Sequence, residues 1–129
     1  MAGRFARFAA ATALVGAVMA VAPMASANDA DVIRRGACSG GSDWKLKLSP
    51  EDSRLEVEFE VDSNVNAQTW RVRIFQNGDR IFSGRRVTRA PSGSFELEIR
   101  ANDTSGTDRF RARAGNPATG EVCVGRASI

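Results

Sequence analysis

From Trp44 onward the chain alternates. Trp44, Leu46 and Leu48 are apolar, and the positions between them are Lys45 and Lys47. Leu55-Glu56-Val57-Glu58-Phe59-Glu60-Val61 follows with strict period two. Successive side chains of a strand point to opposite faces, so this spacing predicts strands buried on one face only. A helix would scatter those glutamates around its surface and leave no apolar stripe.

The pattern recurs to the end of the chain. Trp70, Val72 and Ile74 alternate with Arg71, Arg73 and Phe75. Asn77-Gly78 then gives a strong hairpin signal, because both positions of a tight hairpin turn need positive φ. A two-residue turn there places Ile74 opposite Ile81 on the core face, and Gly84 suggests a bend or bulge in the return strand from Arg80 to about Arg89. Phe95, Leu97 and Ile99 alternate with Glu96 and Glu98, and Phe110, Ala112 and Ala114 with Arg109, Arg111 and Arg113. A last strand runs from Glu121 to about Ala127. Turns fall at Ser49–Ser53, 90–93 and 115–120, with polar loops at 62–68 and 101–107. The expectation is an all-β fold: a single antiparallel β-sandwich of six or seven strands over 44–129. Its predicted core is Trp44, Leu46, Leu48, Leu55, Val57, Phe59, Val61, Trp70, Val72, Ile74, Ile81, Phe95, Leu97, Ile99 and Phe110.

The beginning of the chain has a different character. Arg4 and Arg7 precede an uncharged Ala/Val/Leu/Met run, and Ala25-Ser26-Ala27 has the small-x-small form of a cleavage site. Residues 1–27 are therefore expected to be a cleaved secretory signal peptide, with an apolar run too short for a spanning helix. Residues 28–43, polar and Gly/Ser-rich, are expected to form a flexible lead-in containing Cys38. Cleavage also changes the charge. The chain has 18 basic and 15 acidic residues; losing Arg4 and Arg7 leaves 16 and 15, a net +1. Global attraction to nucleic acid is then a weak inference, and any charge effect must come from patterning.

Cys38 and Cys123 are the only cysteines. Redox dithiols usually sit as C-x-x-C, whereas this spacing in an exported domain is expected to be one structural disulfide.

Gly106-Thr107-Asp108-Arg109-Phe110-Arg111-Ala112-Arg113-Ala114-Gly115-Asn116 resembles strand F of an immunoglobulin-like or fibronectin type III-like domain: an aromatic opens the strand, alternation follows, and Gly-Asn leads onward. Trp70 stands where such folds often keep a buried Trp on strand C. The resemblance covers Trp44 to Ala127 and implies an immunoglobulin-like sandwich. Two features depart from it. The antibody-type disulfide joins strands B and F, but Cys38 precedes the first predicted strand and Cys123 lies in the last. With no Tyr in the chain, Phe110 has no hydroxyl for a tyrosine corner. The chain is also similar to small secreted actinobacterial proteins with no assigned function, which implies an exported life and nothing about activity.

The immunoglobulin-like topology implies that the Arg71/Arg73 strand neighbours the Arg109/Arg111/Arg113 strand, with Arg80, Arg85 and Arg86 nearby. The other sheet would carry Glu56, Glu58, Glu60, Glu96 and Glu98, balanced by Lys45 and Lys47. Arg suits bidentate contact with phosphate, sulfate or carboxylate, so Arg71, Arg73, Arg109, Arg111 and Arg113 are a candidate anion-binding face. Like charges directly opposite on paired strands are destabilising. Either a ligand relieves them, or the strand order differs and Arg rows pair with Glu rows, or both faces are simply solvated.

Other chemistry is thin. No His is present, which removes the usual general base and the commonest zinc ligand. No catalytic residue, metal site or cofactor is expected. Asp62-Ser63-Asn64-Val65-Asn66 has calcium-loop spacing at its start, but the sixth and twelfth positions are Ala67 and Arg73 instead of Gly and Glu. Asn102-Asp103-Thr104 fits a glycosylation sequon, which matters only in a eukaryotic secretory pathway. The expected function is a secreted, non-catalytic binding module. Its partner is an anionic cell-envelope polymer or a protein, with no specific nucleic acid and no membrane once the signal is removed. The alternative is a structural secreted domain with no small ligand.

Overall fold

The computed structural model describes residues 30–129. The predicted signal peptide, 1–27, lies outside the described residues. The described chain forms eight strands and no helix: β1 (Val32–Ala37), β2 (Asp43–Glu51), β3 (Arg54–Asp62), β4 (Thr69–Gln76), β5 (Asp79–Val87), β6 (Ser94–Asn102), β7 (Arg109–Gly115) and β8 (Val122–Ser128). They make two four-stranded antiparallel sheets, ordered β1-β2-β3-β6 and β5-β4-β7-β8. The inward residues of both sheets meet in one cluster, as in a β-sandwich.

Strict alternation translates directly into burial. Leu55, Val57, Phe59 and Val61 of β3 are buried, while Glu56, Glu58 and Glu60 face outward. Trp70, Val72 and Ile74 of β4 are fully buried and pack against Phe95, Leu97 and Phe110 in the same cluster. Ala112 and Ala114 of β7, with Cys123 and Ala127 of β8, complete it.

The structure departs from the sequence expectation in three places. There are eight strands, because β1 lies within the stretch expected to be flexible lead-in. Val-Ile-Arg-Arg-Gly-Ala has no clean period, yet it pairs with β2 from Val32–Leu48 to Ala37–Asp43. Its fit depends on Trp44. A Cβ on Gly36 would come within 2.7 Å of the Trp44 ring, and one on Gly125 of β8 within 2.8 Å. The half-buried indole thus lies between the two glycines and closes one edge of the sandwich.

Second, β2 runs on through Pro50 to Glu51, and the turn to β3 is Asp52-Ser53, both at positive φ. Third, Ile81 is 39% exposed and is not core. The Asn77-Gly78 turn forms as expected, with Gln76 opposite Asp79 and φ values of 50° and 86°. The register then slips by one residue, so that Ile74 faces Phe82. The bulge sits at Ile81, not Gly84, and it turns Phe82 inward in place of Ile81. Gly84 instead accommodates the Phe82 ring, 2.8 Å from where its Cβ would stand. Trp44 and Ile99 pack on the core but are only partly buried.

Cys38 and Cys123 are bonded, tying the end of β1 to β8 and so one sheet to the other, with a Cα–Cα distance of 4.3 Å. Such a bond belongs to an oxidising compartment.

Candidate functional site

The outward positions of β4, β5, β7 and β8 form a continuous face. Across the strands, Arg71 stands opposite Arg85, Arg73 opposite Arg113, and Arg111 opposite Arg126. Arg109 extends the β7 row. All of these arginines are exposed. The structure therefore brings Arg71, Arg73, Arg109, Arg111 and Arg113 onto one face. Arg pairs with Arg, so the alternative in which Arg rows meet Glu rows does not occur.

Of the nearby candidates, Arg85 joins this face and Arg80 stands opposite its outward Phe75. Arg86 lies on the opposite side of β5, 5.3 Å from the centre of the Phe82 ring. Sequence reasoning missed Arg126. Its signal was available, because Arg126 sits between the buried Gly125 and Ala127.

The arginines follow a diagonal. Arg85 lies on β5, Arg71 and Arg73 on β4, Arg113 and Arg111 on β7, and Arg126 on β8, each beside the next. Gly115, Val122 and Val124 flank the stripe on one side, and Ser83 and Phe75 on the other. Arg111 stacks over the half-buried Phe75 ring, 4.4 Å from its centroid, an arrangement favourable to the cation. Two shallow clefts border the stripe. One, of about 220 Å³, is bordered by Arg71, Arg113, Gly115 and Val122. The other, of about 270 Å³, is bordered by Phe75, Arg109, Arg111 and Arg126.

Among the described residues, no arginine of this face is in an ion pair; the salt bridges present involve Lys45 and Lys47 on the other sheet. Nearby carboxylates are committed elsewhere. Glu121 borders the first cleft, but its oxygens accept from the Ser42 N–H at 3.1 Å and from the Ser42 hydroxyl. Asp108, next to Arg109, is fully buried. It accepts from Gln76 Nε2 and Asn77 Nδ2, each at 3.0 Å, and from the Thr104 N–H and hydroxyl. Burial pushes its pKa up, but these hydrogen bonds outweigh that and hold it below the ordinary aspartate value. The same cluster anchors β7: Arg109 N–H donates to Asn77 Oδ1, and Asn77 N–H to the Arg109 carbonyl, both at 2.8 Å.

The opposite outer face is acidic. Glu58 stands directly across from Glu98, and Glu60 from Glu96. Glu56, Glu58 and Glu98, and again Glu58, Glu60 and Glu96, bring carboxylate oxygens within 4.8 Å of one another, close enough to share a cation. The chain supplies one itself: Lys45 Nζ lies 3.1 Å from Glu58 and 3.6 Å from Glu60. Burial lowers the Lys45 pKa, but Glu58 and Glu60 more than reverse this, so it lies above the ordinary lysine value. Burial, then Glu58 and Glu60, raise the Glu96 pKa. Hydrogen bonding with Glu51, then burial, raise that of Glu56.

In the stretch with calcium-loop spacing, Asp62 Oδ1 accepts from the Asn64 N–H at 3.0 Å, the bond of an Asx turn. Compared with protein-family models, curated proteins and solved structures, the chain matches none.

Proposed function

We propose that this protein is an exported, non-catalytic binding module of immunoglobulin-like or fibronectin type III-like build, and that it holds an anionic envelope polymer on the Arg face. The neighbour relations support the architecture. β3 beside β6, and β4 beside β7 beside β8, match the B–E and C–F–G neighbours of such sandwiches. The disulfide and the signal-like segment at 1–27 support export.

One observation carries the binding reading. The Arg face repeats like-charge cross-strand pairs with no acid within ion-pair distance among the described residues, while the acidic face is clamped by its own lysine. Facing like charges cost about 0.2–1 kcal/mol per pair. A polyanion laid across them removes that cost and gains charge-assisted contacts. Cosedimentation of the processed chain with purified cell envelope across a salt series tests this. The native protein should pellet at low salt and be released as salt rises. A variant carrying Arg109→Glu, Arg111→Glu and Arg113→Glu should stay in solution. If native protein and variant both remain soluble at every salt concentration, the reading fails and the Arg rows are solvated surface.

A further inference from the structure

Resting on that reading, we infer that the polymer is a linear, base-free phosphodiester of the polyol-phosphate type, lying along the diagonal from Arg85 to Arg126. The argument begins with spacing. Alternate residues of a strand are about 6.8 Å apart, and neighbouring strands about 4.8 Å. The stripe crosses three strand spacings and two such steps, so it spans about 20 Å from corner to corner. Two residues of extended chain contain six backbone bonds. A phosphodiester backbone with three carbons per repeat, P–O–C–C–C–O–P, also contains six, so its contour per repeat is close to the same ~7 Å. Along the diagonal the cross-strand pairs Arg85/Arg71, Arg73/Arg113 and Arg111/Arg126 follow one another one strand and two residues apart, about 8 Å, a step that the long Arg side chains bring to the ~7 Å between successive phosphates of one extended chain. At ~7 Å per repeat, the ~20 Å stripe accommodates about three repeats.

Side-chain chemistry narrows the class further. Every cation on this face is Arg; the chain's two lysines, Lys45 and Lys47, are both on β2 of the other sheet. A guanidinium offers a planar fork to two phosphate oxygens, which an ammonium does not. The face has one outward aromatic ring, Phe75, and Arg111 already lies over it. Binding of single-stranded nucleic acid relies on open aromatic platforms for base stacking. With its only ring covered, this face reads charge along a backbone and has nothing for a base. On the flank the side chains of Gly115, Val122 and Val124 are apolar, and the polar oxygens of the cleft beside them, Glu121 and Asn116, already accept from Ser42 and from the 118–119 backbone.

Fluorescence anisotropy of the processed chain with a labelled glycerol-phosphate oligomer of six repeats tests the inference. Competitors are polyglutamate of equal charge, oligo-dT of equal charge, and inorganic phosphate. The oligomer should bind at least about tenfold more tightly than polyglutamate, because an extended polypeptide turns alternate carboxylates away from the face whereas a phosphodiester brings every charge to it. Its binding should stay flat from pH 8 to pH 4, because neither arginine nor a phosphodiester titrates there. Oligo-dT should bind no better than the oligomer, and millimolar inorganic phosphate should not displace it. Arg73→Lys with Arg113→Lys keeps the charge and loses the forks, and should weaken binding about tenfold. Lys45→Gln, on the opposite sheet, should leave it unchanged. Equal binding of polyglutamate, or no effect of the Arg-to-Lys pair, would overturn the phosphodiester inference and leave an unselective anion face. Markedly tighter binding of oligo-dT would overturn it in favour of nucleic acid. Failure of every polyanion would remove the underlying reading as well.

Discussion

The two outer faces of this sandwich are built by the same rule and end in opposite electrostatic states. Each places like charges directly across neighbouring strands: Glu58 on Glu98 and Glu60 on Glu96 on one side, Arg73 on Arg113 and Arg111 on Arg126 on the other. The acidic face answers its own repulsion. Lys45 reaches two of the glutamates, and the Glu56 and Glu96 carboxyls hold their protons more tightly than usual. The basic face has no such answer. Its arginines cannot shed their charge at any ordinary pH, and the nearest carboxylates are turned away, Glu121 to Ser42 and Asp108 to Gln76, Asn77 and Thr104. A face that settles its charges internally is a structural surface. The basic face leaves its charges open, and under the proposed function a polyanion from outside the molecule completes them.

The severest way to break the comparison is to release the two sheets from each other. Replacing Cys38 and Cys123 by Ser opens a link of sequence separation 85 and should cost about 4–5 kcal/mol in the chain-entropy model. Chemical denaturation should show the midpoint collapse, and a loss below 1 kcal/mol would mean the Trp44 seam alone holds the edge. Next in size is the clamp. Lys45→Met leaves Glu58, Glu60 and Glu96 facing one another and should destabilise by about 1 kcal/mol. An unchanged midpoint would make the lysine an idle surface group and weaken the contrast between the faces.

The mirror change on the basic face should act in the other direction. Arg73→Glu puts an acid opposite Arg113 and beside Arg71, and should raise stability by about 0.5 kcal/mol while reducing polymer binding. A stability loss would show that the arginines do not strain the free protein. The smallest effect sharpens the acidic side. Because Glu56 and Glu96 have raised folded pKa values, the native state binds more protons just above the ordinary glutamate value of 4.5, and stability should rise as pH falls from 7 towards it. Asp108 is lowered, so its contribution is present above 3.8 and is lost as pH falls below it. Thermal midpoints across pH read the two opposing slopes. Glu96→Gln should flatten the rise from neutrality, and Asp108→Asn should remove much of the acid decline at a cost in overall stability.

Much of this contrast was legible in the residues, and the gaps have physical causes. β3 could be read because each of its apolar side chains is followed by an acidic one in the outward position, and burial follows that alternation closely. The β4–β7 pairing came from the implied topology, and the register then set Arg against Arg. The Ile81 bulge was hidden, because a perfect Asn-Gly turn says nothing about a slip further along the strand. β1 was hidden because its support is Trp44, a residue of another strand, received between Gly36 and Gly125. The Asp108 cluster joins Gln76, Asn77 and Thr104 across separate turns, and no spacing in the chain announces it. The candidate face was thus foreseen in its β4 and β7 rows. What made it a candidate, the absence of ion pairs along it among the described residues, could be seen only in three dimensions.

The most direct test measures what a ligand does to stability. A ligand that binds only the native state raises the unfolding midpoint, and the more so the further its concentration exceeds its Kd. Thermal unfolding at low salt, with and without the glycerol-phosphate oligomer, should show a clear rise for the native chain and none for a variant carrying Arg71→Gln, Arg73→Gln and Arg113→Gln. Equal shifts in both proteins, or no shift in either, would contradict the claim that the open charges of this face are completed by a polyanion.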